Sequence, residues 1–472
     1  MTDLQVPLDL DALRGALAGD ELHALDLGEL HIGAGTLGRL GDLVSRLGTH
    51  SENVVVLVAA TPITAGGSHL RDVVESGLGS GCALRWVVLG PADGSVHADE
   101  RTVDEARRAA EGAGCVIGVG SGTICDIAKA AAPDGVPLVV VQTAASVNGY
   151  ADPFSVLLRS GVKRTTPTRW PDALVADTDV LADAPVRLNL AGLGDMSAMF
   201  TATADWYLAA LMGADGPSFH EPVADLVRPY GEPMLRAGPA LASDPGQLAA
   251  LTRLLTLSGI GMGVTGGTAP ASGMEHAVSH LLEMAATATG AAASLHGEQV
   301  AVASIVAAAT WAHVRDTIAR GGLDRQPRLP DADATAARST TAFATLDPSG
   351  AMAAECLADY AAKVKLLPAS GNPLRPLRDA WEESDVVMER LLIGPSELAA
   401  GLRAAGLPVR FSDLPTPVGD DQARWAVANC ALQRRRFGVA DLAMLLGAWE
   451  DEDVAAVLAA AEAAAASAGD RA

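Results

Sequence analysis

Two stretches of this chain carry residue types and spacings that could do chemistry. The first is GVGSGTICDIAK, residues 118–129, which follows the apolar run GCVI. Three glycines alternate with small residues before a helical pattern begins. Where a strand runs into a helix, free N–H groups and the helix dipole favour an anion, and glycine lets a pyrophosphate approach the main chain. No Gly-Lys-Ser/Thr follows, so this is not a P-loop, and the spacing is not GxGxxG. Nucleotide phosphate binding and a tight structural turn both fit the stretch. Asp126 and Lys129, on the helix that follows, read as a solvated pair.

The second is a set of histidines. His276 and His280, in GMEHAVSH, are four apart and share one helical face. His296 lies in LHGEQVA at the start of another apolar helix, and Asp195, in AGLGDMSAMF, heads a third. Histidine with carboxylate suits a borderline cation such as zinc, held with one position open to substrate. Bare spacing selects His276 and His280 as the ligands. The competing reading is two partly buried histidines. A Ser/His/Asp hydrolase is disfavoured, because no GxSxG elbow is present.

The elements that must position these residues change character along the chain. β-branched runs at residues 53–59, 84–89, 115–119, 137–142 and 172–177 alternate with helical patterns such as residues 67–77 and 98–113. Apolar strands separated by single helices indicate parallel βαβ units. After about Leu181, Ala/Leu-rich helices dominate, broken by Pro and Gly near residues 213–217, 238–245, 327–330 and 368–376. The reading is an α/β domain followed by an all-α domain, with the boundary near residues 182–186. The tail from Val454 reads as a last helix, with a disordered tail as the alternative.

A chain of 472 residues is too long for one ordinary core, so two domains are the default. With 49% hydrophobic but only 4% aromatic residues, the core must be Ala, Val and Leu. The net charge of −23 argues against a nucleic-acid or anionic-membrane partner. Five scattered cysteines without a CxxC pair fit reduced thiols in a cytoplasm. The N-terminus lacks the basic and apolar regions of a signal peptide. The longest apolar stretch, VAVASIVAAATWA, is too short to span a bilayer.

Several ordered motifs together resemble a known family. They are GVGSGTICDIAKAA, VQTAASVNGYADPFSVL, GVKRTTPTRWPDALVADTDVLADAP, AGLGDMSAMFTATADW, PASGMEHAVSHLLEM and LHGEQVAV. The sequence resembles the metal-dependent glycerol-1-phosphate dehydrogenases. These sit within the superfamily of iron-containing alcohol dehydrogenases, glycerol dehydrogenases and dehydroquinate synthases. The resemblance runs from LHIGAGTL at Leu30 to FGVADLAMLLG at Phe437. It implies a dehydroquinate synthase-like architecture: a Rossmann-like parallel sheet in a nucleotide-binding domain, residues 1–184, and an all-α metal-binding domain, residues 185–472. It also implies that Asp195, His276 and His296 hold a divalent metal, with zinc ahead of nickel or iron. His280 stands in the active site without being a ligand, against the bare-spacing choice. Gly118, Gly120, Ser121, Gly122 and Asp126, with Thr143 and Ser146, are assigned to NAD(H) or NADP(H). The implied reaction is hydride transfer to a small ketone, dihydroxyacetone phosphate or a related polyol ketone, by a homo-oligomer.

The departures from the family pattern fall where substrate should sit. Asn148, in NGY, replaces the aspartate of a DGY segment, and with His280 it is the candidate catalytic residue. Met199 stands where a basic residue is usual, Ala269 where an arginine is, Cys125 for asparagine and Ala145 for proline. Lys163 and Arg164 could replace charge, although a solvated pair on a hairpin is the plainer reading. The strand NVVVLVA runs into Ala60-Thr61-Pro62-Ile63, without the acid that would grip a ribose 2′-hydroxyl, which leaves NADPH open. Two rival readings remain. A dehydroquinate synthase-like lyase would carry FGHTFGH rather than MEHAVSH. A non-catalytic cofactor-binding relative would explain the lost charges.

Overall fold

The computed structural model describes residues 4–19, 21–48, 53–91, 96–159, 162–214, 216–367 and 371–469. The chain divides into two compact units. One comprises Met1–Arg159, Lys163–Met196 and Pro239–Val264; the other comprises Ser160–Val162, Ser197–Gly238 and Thr265–Ala472. The helix Val186–Met196 and nearly all of the helix Pro245–Thr265 therefore fold with the first unit. Four sequence features fall partly outside the described residues: the N-terminus at residues 1–3, the 213–217 break at residue 215, the 368–376 break at residues 368–370 and the tail at residues 470–472.

The first unit is built on six parallel strands: β1 (Glu29–Gly33), β2 (Val54–Ala59), β3 (Leu84–Leu89), β4 (Cys115–Gly120), β5 (Leu138–Gln142) and β6 (Ala173–Asp177). Their order in the sheet is β1-β6-β5-β4-β2-β3. Every residue of β4, β5 and β6 is buried, because helices cover both faces of a parallel sheet. That double burial is why these strands read as continuous apolar runs rather than alternating ones. Five strands lie within a residue of the expected runs. The sixth, β1, is an edge strand of sequence ELHIG with no fully buried residue, so it carries little apolar signal.

The chain passes from β2 to the edge strand β3 and then returns to β4 on the other side of β2. The direction of winding reverses between β2 and β4. In open α/β sheets, ligands bind outside the carboxyl ends of the strands at such a reversal. The glycine loop follows β4 and Ala60–Ile63 follows β2, so both flank that point. The segments Phe154–Arg159 and Val162–Pro167 form a two-stranded ribbon, with Lys163 and Arg164 on its second strand.

The second unit is helical. Its long helices Met274–Thr289 and His296–Ala319 pack against each other, and His296–Ala319 also packs against Asp451–Gly469. From Val454 to Gly469 the tail is helix, as read from its composition. The polar segment after Arg320 is partly ordered: Gly322–Asp324 is a 3₁₀ turn, and Asp331 caps the helix Ala332–Phe343 through the Ala334 N–H. Among the described residues, one helix, Pro245–Thr265, is long and apolar enough to cross a membrane. It was missed as an apolar stretch because Ser, Thr and Gly interrupt it, and 94% of its apolar window is buried within the fold.

Candidate active site

The glycine loop joins β4 to the helix Gly122–Ala131, with Ser121 at the N-cap in an extended conformation and making no side-chain cap. Two of its glycines are explained inside the protein. A Cβ on Gly118 would stand 2.6 Å from Ala128 Cβ, and one on Gly120 would stand 2.5 Å from Ile124 Cβ. The helix lies too close over the strand to allow any side chain there. Gly122 is different: a Cβ would meet only the Val147 methyl, at 3.0 Å. Cys125 is buried behind the loop and its thiol reaches the Gly120 carbonyl at 3.5 Å.

Lys129 is not solvated. Its ammonium is buried and donates to Gly149 O at 2.6 Å, to Asp152 Oδ1 at 3.0 Å and to Phe154 O. Asp126 Oδ1 is 3.5 Å away. Burial works against the ammonium, but Asp152 and Asp126 more than offset it and raise its pKa. Asp126 is itself pushed up to about 6 by burial, with Lys129 opposing. This lysine pins the glycine-loop helix to the NGYADPF segment, which carries Asn148.

That segment is clamped in turn. Tyr150 donates to Ala144 O at 2.9 Å and lies 2.8 Å from Ser146 Oγ. Thr143 and Ser146 are buried. Asn189 accepts the Ala145 N–H at 2.9 Å, and a Cβ on Gly192 would sit 1.9 Å from Ala145 O. The helix Val186–Met196 therefore lies with bare backbone on this loop. Asp195 ends that helix rather than heading one, one residue before its last turn gives way to the 3₁₀ turn Ser197–Phe200. The loop's Asn148 N–H donates to Asp195 Oδ2 at 3.0 Å, and Asn148 Nδ2 donates to Ser258 Oγ at 3.1 Å.

In the helical unit the three histidines converge. Ring centroids are 5.1 Å apart for His276 and His296, 5.5 Å for His280 and His296, and 6.4 Å for His276 and His280. Each of two rings has its Nδ1 engaged from behind. His276 Nδ1 lies 3.0 Å from Glu275 Oε1, and His296 Nδ1 lies 3.1 Å from Ser279 Oγ, which donates to Gln299 Oε1. Such back-side partners fix the tautomer and turn Nε2 outward as a ligand atom. Glu275 is fully buried and also accepts the Gly273 N–H at 2.5 Å and the Thr201 hydroxyl at 2.8 Å. Burial raises its pKa, yet the His276 ring, followed by the Gly273 and Thr201 bonds, outweighs it and holds Glu275 below the usual range. Glu283, one turn beyond His280, joins the cluster: His280, Glu283 and His296 offer ligand atoms within 4.8 Å of one another.

Behind the histidine helix stands Asp205, also buried. It accepts the Met274 N–H at 2.9 Å, the Val439 N–H at 3.0 Å and the Trp311 indole N–H at 3.1 Å. One carboxylate thus ties together the first turns of the helices Met274–Thr289 and Val439–Leu446. Gly273 and Gly438 leave room for it, since a Cβ on either would lie 2.8 Å from Asp205 Oδ2. Burial, with Glu275 nearby, pushes Asp205 up to about 7.

Met199 and Ala269 are both buried. Cations do reach the Ala269 turn from elsewhere, because Arg434 and Arg436 bond to Thr268 and Ser272. Sequence spacing did not signal Glu275, Ser279, Lys129 or the two arginines as parts of a site. The adjacency of Glu275 to His276 was the one readable clue.

Comparisons with known proteins agree on one family. Residues 31–185 match the family model for iron-containing alcohol dehydrogenase. The chain is 31% identical over 304 residues to a glycerol-1-phosphate dehydrogenase of Aeropyrum pernix, spanning 62% of this chain and 82% of that protein. It is 29% identical over 309 residues to one from Hyperthermus butylicus, spanning 64% and 84%. Among solved structures it resembles a probable glycerol dehydrogenase of Sinorhizobium meliloti, with a TM-score of 0.55 and 18% identity over 95% of this chain and 99% of that one.

Proposed function

The chain belongs to the glycerol-1-phosphate dehydrogenase family of iron-containing alcohol dehydrogenases, and from that premise we propose the roles of its site residues. It is a metal-dependent, nicotinamide-linked oxidoreductase acting on CH–OH groups. Our reading is that Asp195, His276 and His296 hold the cation, zinc in the first instance. Residues 1–184 carry the cofactor and residues 185–472 the metal. The observation that carries this is the pair of imidazoles whose Nδ1 atoms are already taken by Glu275 and Ser279. With Nδ1 engaged, Nε2 is the ring nitrogen that would ligate, and neutral imidazole with carboxylate suits a borderline cation.

When bound, the cation polarises a ketone oxygen and the reduced nicotinamide supplies the hydride. The chain's own residues do the remainder. The Asn148 N–H holds Asp195 Oδ2 and so orients that carboxylate. The Asn148 side-chain oxygen accepts a hydroxyl of the substrate, taking over from the family's aspartate without its charge. His280 passes a proton to the product oxygen. Gly118, Gly120, Ser121, Gly122 and Asp126, with Thr143 and Ser146, receive the cofactor where the winding of the sheet reverses. Gly122 is the glycine left open to a ligand. The absence of an acid in Ala60–Ile63, directly after β2, supports use of NADPH as well as NADH. The substrate is a small ketone, dihydroxyacetone phosphate or a related polyol ketone. We carry the homo-oligomer as part of this reading. The five free cysteines support a reducing compartment.

A second donor set rests on a specific observation, the convergence of His280, Glu283 and His296. Metal analysis of Asp195→Asn and Glu283→Gln separates the two. Loss of metal on the first substitution alone supports the reading above. The activity is tested by following the nicotinamide absorbance of metal-loaded protein with phosphorylated and unphosphorylated ketones. Protein that is metal-replete but binds neither NADH nor NADPH, or reduces no ketone of the panel, overturns it.

A further inference from the structure

Among the described residues, two guanidinium groups of the helical unit form no ion pair with a carboxylate. Arg434 and Arg436, in the sequence RRRFG, reach the turn between Thr268 and Ser272. Arg434 donates to Ser272 Oγ at 2.6 Å and to the Ser272 carbonyl at 3.3 Å, and lies 3.5 Å from His280 Nδ1. Arg436 donates to Thr268 Oγ1 at 2.6 Å and to the Ser272 carbonyl. Among the described residues neither arginine has a carboxylate within ion-pair distance. Both are half-buried.

The turn supplies further donors. Thr268 Oγ1 and Ser272 Oγ each accept from a guanidinium, so their own hydroxyl protons are directed elsewhere. Those protons find no acceptor among the described residues. Two cations and two hydroxyl donors therefore converge; the buried carboxylates Glu275 and Asp205 act on both guanidiniums from a distance, but neither forms an ion pair with them, and Arg434 lies beside His280. Buried charge without an ion pair is costly, and hydroxyl donors left unpaired add to that cost, so an anion would complete the arrangement. Guanidinium forks match the geometry of phosphate. The same turn carries Ala269, where the family pattern has an arginine, so charge missing from one segment arrives from another.

We propose that Arg434 and Arg436, with the hydroxyls of Thr268 and Ser272, grip a phosphomonoester on the ketone substrate and so set its selectivity. This rests on the dehydrogenase reading above. A phosphomonoester is also found on NADP, and the test separates the two sources.

The experiment uses the metal-loaded full chain and its Arg436→Met, Arg434→Met, Arg436→Lys and Arg435→Met variants. The quantity read is the ratio of kcat/KM for dihydroxyacetone phosphate to kcat/KM for dihydroxyacetone, with NADH and with NADPH. Each methionine variant at 434 or 436 lowers the ratio by about 30-fold, the range of a charge-assisted hydrogen bond. Arg436→Lys restores part of it, and Arg435→Met, at an exposed neighbour, leaves it unchanged. Inorganic phosphate, titrated calorimetrically, binds the parent chain and not Arg436→Met. Equal losses on both ketones, or a loss confined to NADPH, overturn the proposal. If the parent chain reduces dihydroxyacetone but not its phosphate, and phosphate does not bind, this proposal fails and the dehydrogenase reading stands. If it reduces no ketone but binds phosphate through these arginines, that reading fails and the anion site survives.

Discussion

Lys129 in the first unit and the Arg434/Arg436 pair in the second handle buried charge in opposite ways. Lys129 is enclosed by two carboxylates and by the carbonyls of Gly149 and Phe154, all from its own chain. Among the described residues the arginines meet carbonyl and hydroxyl oxygens, and no carboxylate at ion-pair distance. Their pKa values show the contrast. That of Lys129 is raised, whereas burial pushes Arg434 down to about 10 and, with Arg434 beside it, Arg436 down to about 9. A charge matched within the chain is architecture. A charge that no carboxylate meets in an ion pair leaves room for a partner from outside.

The comparison breaks most visibly at Lys129. Lys129→Met leaves Asp126 and Asp152 buried without their cation, so unfolding free energy should fall by about 3–5 kcal/mol. Arg436→Met removes a charge that forms no ion pair, and should cost no more than about 1.5 kcal/mol in lost hydrogen bonds. Denaturant titration of both variants at one pH checks this. Equal costs would mean that the two environments are not different in kind.

Asp205 sharpens the same point through pH. Its folded pKa of about 7 lies above the ordinary carboxylate value of 3.8. Stability from its neutral form is thus fully present below about pH 4, and is lost as pH rises through 7. The shift corresponds to at most about 4 kcal/mol. Asp205→Asn does not titrate, though its amide must face one of three N–H donors and so destabilises at every pH. The stability advantage of the parent chain over Asp205→Asn should therefore be larger at pH 5 than at pH 8. An advantage that grows with pH would contradict the assigned direction.

Much of this was legible in the sequence, for a physical reason. Strands buried on both faces advertise themselves as β-branched runs, so β2 to β6 could be read directly. The edge strand β1 could not, because ELHIG is half-exposed throughout. Histidine spacing located the cluster but understated it. What would prepare His276 and His296 as the proposed ligands is Glu275 and Ser279, and the Ser279–His296 pairing spans two helices. Lys129 looked solvated because i,i+3 charge pairs on helices usually are. Its true partners, the Asp152 carboxylate and the carbonyls of Gly149, Asp152 and Phe154, come from a segment twenty or more residues on. The arginine pair was invisible because it acts on a turn more than 160 residues away.

Glu275 tests whether an internal partner can serve a ligand from outside. Glu275→Gln keeps an oxygen for the Gly273 N–H but removes the negative charge behind His276. Loss of such a partner typically weakens metal binding by about 10–100-fold. Competition against a chromogenic chelator measures it, with thermal melting of the metal-free protein as the control for folding. Glu275→Asp, which keeps the charge at a shorter reach, should recover part of the affinity. If the glutamine variant binds metal as tightly as the parent, Glu275 merely fills space.

The glycine loop carries the comparison to its smallest scale, since its glycines divide by what occupies the space a side chain would take. At Gly118 and Gly120 that space belongs to Ala128 and Ile124, so alanine there must push the helix off the strand. Overpacking of this kind costs about 1–3 kcal/mol. At Gly122 the neighbour is a single valine methyl that can give by a few tenths of an ångström, so alanine should change stability by less than about 0.5 kcal/mol. If this glycine is bare for the cofactor, Gly122→Ala should instead raise the dissociation constants of NADH and NADPH together, because the methyl obstructs the shared pyrophosphate. Nucleotide titration by fluorescence, paired with denaturant melts, reads both quantities on the same sample. Stability lost at Gly122 with nucleotide affinity intact would make all three glycines a matter of packing, and the phosphate would have to be held elsewhere.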